Sequence, residues 1–265
     1  MSVELNHRIT GEGKPLILLH GLFGSLENLG GIARRLQDEW QIHALDERNH
    51  GSSPHTDTMD YPSMAEDVLA YMDAQGLDKA SLLGHSMGGK VAMQVALMAP
   101  ERVDKVIVAD IAPVSYKPRH DAILEGLRSL DLTAVRSRQD ADKLLAEFVE
   151  TPGVRQFLLK NLERVPSEEQ TADVPMFRWR LNLPVIDDCY ENLAKAPEGD
   201  GPFNGPVLFL KGAESAYIQE KHRDQIMRLF PSAELRIIQD TGHWLHAEKA
   251  DTFAALCRRF LESET

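Results

Sequence analysis

The sequence contains very few cysteines. Only Cys189 and Cys257 occur among 265 residues, far apart along the chain, and neither forms a Cys-x-x-Cys pair or another metal-ligand spacing. No metal site is therefore expected, and no disulfide can be inferred from the pattern. Two reduced thiols fit an enzyme of the cytoplasm.

Positive charge and long apolar runs are also scarce. The chain has 29 Lys and Arg against 41 Asp and Glu, a formal net charge of -12, so a nucleic-acid partner is not expected because phosphates would be repelled. No window approaches about 18 apolar residues, which predicts no membrane span. The N-terminal stretch MSVELNHRITGEGKP has no apolar core of signal length, and the predicted location is cytoplasmic.

Short apolar runs, by contrast, recur along the chain, and 43% of all residues are hydrophobic. That composition is enough for one large core without disulfides or metals. The runs barely alternate, as is typical of strands covered on both faces, and helical patterns lie between most of them. We therefore predict an α/β fold with a doubly wound, mostly parallel sheet. The runs are PLILLH (15–20), QIHALD (41–46), KASLLG (79–84), KVIVAD (105–110), PVLFLK (206–211) and ELRIIQ (234–239).

Between residues 116 and 205 the alternation of predicted strands and helices stops. The stretch contains helix-like sequences such as RHDAILEGLRSL and DADKLLAEFVE, is punctuated by prolines and has no convincing strand. Roughly 90 residues between two core strands are too many for one crossover, so we predict a helical cap (116–205) inserted in a core formed by 1–115 and 206–265. Alternatively, these helices only cover a face of the sheet.

The sequence Gly84-His85-Ser86-Met87-Gly88 fits the pattern Gly-x-Ser-x-Gly, directly after a predicted strand and directly before the helical pattern KVAMQVALMA. That context is typical of a nucleophile elbow, in which the two glycines provide room for a tight turn. The hydroxyl of Ser86 then projects at the carboxyl edge of the sheet, and we predict that Ser86 is a nucleophile. The alternative is an ordinary glycine-rich turn from strand to helix.

A second glycine-rich loop, HGLFGSLENLG at 20–30, follows another predicted strand end. Its glycines leave the backbone N–H of Leu22 able to face the same edge of the sheet. Together with the N–H of Met87 it would form a two-donor oxyanion hole. Here too an ordinary glycine turn is the alternative.

The stretch TGHWLHAEK (241–249) follows the last predicted strand and places His243 after a glycine at the start of a loop. A neutral imidazole is the usual base for a serine nucleophile, and the chain order of serine, acid and histidine favours His243. Four other histidines compete with His243. We expect His20 and His50 to brace the glycine loops and the side chain of His85 to point away from Ser86. His246 is expected to begin a helix or line the site.

These motifs resemble the α/β-hydrolase family over nearly the whole chain. GHSMGGK, HGLFGS, DERNHGSSP and GHWLHAEK fall in the family's order, and HGLFGSLENL, RNHGSSPH, VADIAP and GHWLHAEKA are similar to the YbfF-type bacterial acyl esterases. The resemblance implies an eight-stranded, mostly parallel sheet with a cap over the site. It also implies hydrolysis of esters or thioesters without a cofactor.

The acid of the predicted triad departs from the family pattern. The family usually keeps it three residues beyond a glycine after the strand that follows the cap, and here LKGAESAYI has Ser215 at that position. Asp110 and Glu214 are the two candidates. Asp110 directly ends the run VIVAD, where a buried carboxylate is unfavourable unless it has a partner, and the resemblance through VADIAP also favours it.

The predicted cap contains alternating aromatic and basic residues. Phe177 and Trp179 alternate with Arg178 and Arg180. We expect the aromatic pair to line an acyl pocket and the arginines to bind a carboxylate or a phosphate, as on coenzyme A. The alternative is an exposed segment whose apolar side is buried against the rest of the cap.

Taken together, the residues and the resemblance predict a serine carboxylic-ester hydrolase. Its expected partner is a small acyl ester or acyl-CoA thioester of short to medium chain length, which would be cleaved through an acyl-enzyme. One alternative is a hydrolase of the same fold that cleaves a carbon–carbon bond beside a ketone. The other is a ligand-binding receptor or an interaction protein that retains the fold.

Overall fold

The computed structural model describes residues 1–118, 120–169, 171 and 174–263. In these residues, all strands but β6 and β7 form one sheet in the spatial order β1-β3-β2-β4-β5-β8-β9, in which β1 is antiparallel to β3 and the other neighbours are parallel. The strands are β1 (His7–Thr10), β2 (Lys14–Leu19), β3 (Trp40–Leu45), β4 (Ala80–His85), β5 (Val103–Ala109), β6 (Leu162–Arg164), β7 (Phe177–Trp179), β8 (Val207–Gly212) and β9 (Ala233–Ile238).

Helices cover both faces of this sheet, which confirms the doubly wound α/β fold. One apolar layer packs beneath α2 and α3 and the other beneath α1 and α11. No helix in the described part of the chain is long and apolar enough to cross a membrane. The α-helices are α1 (Gly30–Leu36), α2 (Tyr61–Ala74), α3 (Met87–Met98), α4 (Asp121–Ser129), α5 (Arg138–Leu145), α6 (Pro152–Leu159), α7 (Leu183–Asp188), α8 (Tyr190–Ala194), α9 (Arg223–Leu229), α10 (Leu245–Glu248) and α11 (Ala250–Glu262).

The apolar runs of the sequence all form strands of this sheet. In β2, Ile17 and Leu19 belong to the layer beneath α2 and α3, whereas Leu16 and Leu18 belong to the layer beneath α1 and α11. All four side chains are buried. A strand that is covered on both faces needs apolar residues at consecutive positions, which is why the sequence does not alternate.

The main sheet has seven strands in the described residues, not the eight that the family resemblance implied. In the chain ahead of β1, two backbone donors are bound by side chains. The N–H of Val3 donates to Asp67 Oδ1 and the N–H of Asn6 donates to Ser53 Oγ, both at 2.8 Å.

The 116–205 segment contains α4 to α8 and also the antiparallel hairpin of β6 and β7. The expectation that this segment has no strand is therefore wrong. Each strand of the hairpin has only 3 residues, which is too short for an alternating pattern to be recognised in the sequence.

Polar contacts join the 116–205 segment to loops at the carboxyl edge of the main sheet. The side-chain amide of Asn161 donates to the carbonyl of Phe23, in the loop after β2, at 2.7 Å. The backbone N–H of Asn182 donates to the carbonyl of Asn49, in the loop after β3, at 3.0 Å. The segment therefore lies against the edge at which the predicted catalytic residues are found.

Candidate active site

Ser86 occupies a sharp turn between β4 and α3. Its backbone has φ 53° and ψ −117°, a strained conformation for a residue with a side chain, and its N–H donates to the carbonyl of Ala109 at 2.9 Å. A Cβ added to Gly84 would lie 2.1 Å from the Gly88 carbonyl oxygen, and one added to Gly88 would lie 2.3 Å from the Leu19 carbonyl oxygen. Both positions therefore require glycine, as the elbow pattern predicted.

His243 lies in the loop between β9 and α10, and its ring connects two other predicted site residues. The Nε2 atom is 3.0 Å from Ser86 Oγ, and the Nδ1 atom is 2.8 Å from Asp110 Oδ2. With the proton on Nδ1, the ring donates to the carboxylate and accepts from the serine hydroxyl. This arrangement suits an imidazole that removes the proton of the hydroxyl.

Asp110 follows β5 directly and is completely buried. Its Oδ1 accepts from the N–H of Gly212 at 3.1 Å, and its Oδ2 accepts from the hydroxyl of Ser215 as well as from His243. These donors compensate the carboxylate for its loss of water. The sequence reasoning assigned no role to Ser215, although its position, where the family usually has its acid, was a signal.

Glu214, the other candidate acid, is exposed in the loop after β8. Its backbone N–H donates to the carbonyl of Thr241 at 2.9 Å. Of the two candidates, the structure brings Asp110 into contact with His243.

Two further side chains, Tyr217 and His85, hold the His243 loop. This role was not predicted from the sequence for either residue. Tyr217 stacks on the His243 ring with centroids 4.2 Å apart and an angle of 29° between the planes. His85 Nε2 lies 2.8 Å from the His243 carbonyl oxygen. Burial lowers the pKa of His85 well below its usual value, so the ring is neutral and its Nε2–H donates to this carbonyl.

Two other buried histidines, His20 and His50, brace loops around the site. His20 Nε2 accepts from the N–H of Glu47 at 3.0 Å, and His50 Nε2 accepts from the N–H of Phe23 at 3.1 Å. The second ring nitrogen of each lies within hydrogen-bond distance of a backbone carbonyl, so both brace loops, as predicted. His246 is buried in α10. In the described residues, no group of three or more His, Cys, Asp or Glu side chains is arranged to hold a metal ion.

Leu22 and Met87 flank Ser86 from two directions. Met87 is the first residue of α3, so its backbone N–H has no partner within the helix and lies at the positive end of the helix dipole. A Cβ on Gly21 would lie 3.4 Å from Ser86 Cβ, which shows how closely the loop that carries Leu22 approaches the serine.

Two cavities meet at Ser86. The smaller one, of about 50 Å³, is called the small pocket, and the larger one, of about 460 Å³, is called the groove. Leu22 and His120 line both of them. The small pocket is further lined by Tyr61, Lys90, Tyr116, Tyr190, Leu193 and Tyr217. The groove is further lined by Phe23, Val154, Phe157, His243, Trp244 and His246.

Phe177 and Trp179, which we expected in an acyl pocket, are not among the described residues that line the small pocket or the groove. Both lie on β7, where alternate residues share a face. Phe177 is buried in the apolar core, and Trp179 packs against that core. Their aromatic character therefore serves the packing of the 116–205 segment, and the expectation is corrected.

The two arginines expected to bind an anion are also placed elsewhere. Arg178 is exposed and pairs with Glu163 at 2.6 Å and Glu169 at 2.7 Å. Arg180 lines a neighbouring surface cavity with Arg138, and this cavity shares Glu27 and Lys160 with the groove. Neither lines the small pocket or the groove in the described part of the chain, so this expectation is corrected as well.

Comparison with known proteins agrees with this geometry. A model of the family described as alpha/beta hydrolase fold matches residues 14–250. The chain belongs to the α/β-hydrolase family.

Several known proteins resemble nearly the whole chain. It is 41% identical to "Esterase YbfF" of Escherichia coli (strain K12) over 93% of this chain and 92% of that protein. It is 40% identical to "sn-1-specific diacylglycerol lipase ABHD11" of Xenopus laevis over 95% of this chain and 80% of that protein. The solved structure of a "Marine microorganism esterase" superposes with a TM-score of 0.93 at 40% identity, covering 98% of this chain and 100% of that one.

Proposed function

We propose that this α/β-hydrolase is a serine ester hydrolase. The observation that carries the proposal is the continuous set of hydrogen bonds from Ser86 Oγ to His243 Nε2 (3.0 Å) and from His243 Nδ1 to Asp110 Oδ2 (2.8 Å). Relatives named esterase and diacylglycerol lipase support ester cleavage over the other reactions of the fold.

In the first half of the proposed reaction, Ser86 Oγ attacks the acyl carbonyl while His243 Nε2 accepts its proton. Asp110 stabilises the resulting imidazolium, and the N–H groups of Leu22 and Met87 donate to the oxyanion. His243 then gives the proton to the alcohol oxygen as its bond to the acyl carbon breaks. An acyl group remains on Ser86.

In the second half, His243 removes a proton from a water molecule that attacks the acyl-enzyme. The acid is released when the bond to Ser86 Oγ breaks, and His243 returns the proton to that oxygen. A thioester follows the same path with a thiol as the leaving group. We therefore include short to medium acyl thioesters, such as those of coenzyme A, among the proposed substrates.

We further propose that the 116–205 segment is a cap over this site. Its residues provide part of the lining on both sides of Ser86: Val154 and Phe157 in the groove, and Tyr190 and Leu193 in the small pocket. Side chains from the segment would then exclude water from the substrate and select its shape.

The proposal is tested by hydrolysis of p-nitrophenyl esters and acyl-CoA thioesters, combined with labelling by a serine-directed phosphonate. The wild type should hydrolyse at least one series and carry one label, on Ser86. Ser86→Ala should remain folded but lose both properties, whereas the exposed Ser232→Ala should keep both. Labelling on Ser25 or Ser215 instead, or a folded protein with no hydrolysis, would contradict the proposal.

A further inference from the structure

The proton transfer defines which side of Ser86 each half of the substrate occupies. In the proposed reaction, His243 Nε2 must deliver its proton to the oxygen of the leaving alcohol, so that oxygen has to lie on the His243 side. His243 lines the groove, whereas the described lining of the small pocket does not include it. The alcohol part therefore occupies the groove, and the acyl chain extends into the small pocket.

Lys90 lies on the small-pocket side. It follows Ser86 by four residues, so the two are about one helical turn, or roughly 6 Å, apart along α3. The side chain is almost completely buried. Its Nζ donates to the carbonyls of Ala194 and Lys195, at the end of α8, at 3.2 and 2.5 Å.

Two aromatic rings lie beside the Nζ atom of Lys90. Its Nζ lies 5.3 Å from the ring centroid of Tyr61 and 4.9 Å from that of Tyr116, distances that favour a cation–π attraction. The hydroxyl of Tyr61 donates to the carbonyl of Leu193 at 2.7 Å, which connects this wall to α8. Burial lowers the pKa of Lys90 to about 7. A polar amine buried this deeply is stable only with such partners, so Lys90 does not swing aside for a longer chain without losing them.

The volume of the small pocket sets a limit on the acyl chain. An apolar cavity of about 150 Å³ accepts benzene, with its six carbons, which corresponds to about 25 Å³ for each carbon. By that measure the roughly 50 Å³ of the small pocket holds about two carbons beyond the carbonyl group. A longer apolar chain would press against the Lys90 amine and displace it from its carbonyl partners.

We propose that Lys90 closes the acyl side of the site and restricts hydrolysis to acyl groups of about two to four carbons, whereas the alcohol or thiol part lies in the groove and can be long and apolar. This inference rests on the proposed serine hydrolase function and narrows its substrate class. Lys90 is a residue that determines specificity, since it limits the depth of the pocket and moves no proton.

Two series of substrates test the inference. In the first, p-nitrophenyl esters vary the acid from two to ten carbons; in the second, acetate esters vary the alcohol over the same range. For the wild type, kcat/KM should fall by at least about tenfold from the butanoate to the octanoate ester. In the acetate series it should stay level or rise as the alcohol becomes longer.

Two substitutions should then enlarge the pocket. Lys90→Ala removes four side-chain atoms, which opens about 100 Å³ on the same scale, and should raise the octanoate to butanoate ratio of kcat/KM by at least about tenfold. Leu193→Ala enlarges the same wall without removing the buried amine and should shift the ratio in the same direction. If Lys90→Ala does not fold, Leu193→Ala decides the question.

Lys105→Ala is the matched control. Lys105 is also buried, and its Nζ donates to the carbonyls of Phe260 and Leu261 at 3.0 and 2.9 Å, but it does not line the small pocket within the described chain. Its substitution removes an equivalent lysine, so the ratio of kcat/KM should remain that of the wild type.

The outcomes separate this inference from the proposed function. The pocket assignment is wrong if the wild type cleaves octanoate as well as butanoate, or if neither Lys90→Ala nor Leu193→Ala changes the ratio. In either case, hydrolysis that is lost in Ser86→Ala would still support a serine hydrolase. A wild type that hydrolyses no member of either series would overturn both proposals.

Discussion

Three residues that are distant in the chain form the centre of the candidate site, and two of them have unusual backbones. Ser86 and Asp110 both have φ 53°, in the left-handed region that residues with side chains rarely occupy. The hydrogen bonds from Ser86 N–H to Ala109 and from Asp110 N–H to Leu210 hold these turns. The neighbouring strands therefore stabilise a local strain that places both side chains towards His243.

At this scale the first prediction concerns the acid. Asp110→Asn should reduce kcat on the order of 10³ to 10⁴-fold, because an amide favours the wrong tautomer of His243. The kcat of Glu214→Gln should stay within about tenfold of the wild type. Glu214 is exposed, and water screens the charge of an exposed carboxylate. Rates with p-nitrophenyl butanoate measure both, with thermal melting as the control for folding. An inactive Glu214→Gln beside an active Asp110→Asn would assign the acid to Glu214.

The second prediction concerns the base. His243→Ala should reduce kcat by on the order of 10⁴-fold or more. His246→Ala should reduce it far less, because His246 is buried in α10 with its ring against His85, at a centroid distance of 4.3 Å. Single-turnover rates on the same ester measure the two losses. The base would be His246 if the larger loss belonged to its variant.

At the scale of elements, the turn from β4 to α3 depends on its two glycines. Gly84→Ala should destabilise the protein by about 3 kcal/mol or more, or prevent folding, because the new Cβ would lie 2.1 Å from the Gly88 backbone oxygen. Gly153→Ala is the control, since a Cβ there meets nothing within 4 Å. Urea unfolding measures both, and a Gly84→Ala protein as stable as the Gly153→Ala protein would contradict the tight packing of the turn.

For the β6–β7 hairpin we predict a change in stability without a change in substrate preference. Trp179→Ala should lower the melting temperature, because the ring packs against the apolar core. It should leave the dependence of kcat/KM on acyl chain length unchanged, because Trp179 does not line the small pocket or the groove in the described residues. The same series of p-nitrophenyl esters tests this. A changed chain-length profile would show that β7 contacts the substrate.

For the molecule as a whole, buried histidines predict a loss of stability in acid. Burial lowers the pKa of His50 to about 3 and that of His246 to about 4. Between these values and about 6.5, the unfolded chain binds more protons than the folded one, so the free energy of unfolding falls as the pH falls through this range. At pH 5 each histidine should account for a loss of about 2 kcal/mol relative to pH 7.

Urea unfolding at pH 7 and pH 5 measures this loss. His50→Gln should retain less of the pH dependence than the wild type, whatever its stability at pH 7. His55→Gln is the control, because His55 is exposed, and it should retain all of it. A His50→Gln protein with the full pH dependence would show that the loss arises from other groups.

The sequence by itself determined the fold class, the sheet strands β2 to β5, β8 and β9, and the turn at Ser86. These features are encoded locally. A run of apolar residues specifies a strand covered on both faces, and glycines two residues before and after a serine specify a tight turn. The β6–β7 hairpin was missed because its strands are too short for any local period.

Only the tertiary structure decided which distant side chains meet. Asp110 contacts His243 across 133 positions of the chain, a contact that depends on the sheet order β5-β8-β9 and on the turns that follow β5 and β9. Likewise, Phe177 and Trp179 pack in the apolar core, and Lys90 meets α8 at the small pocket. Such contacts have no local signature, because their free energy comes from burial and hydrogen bonding between segments that fold together only in the complete molecule.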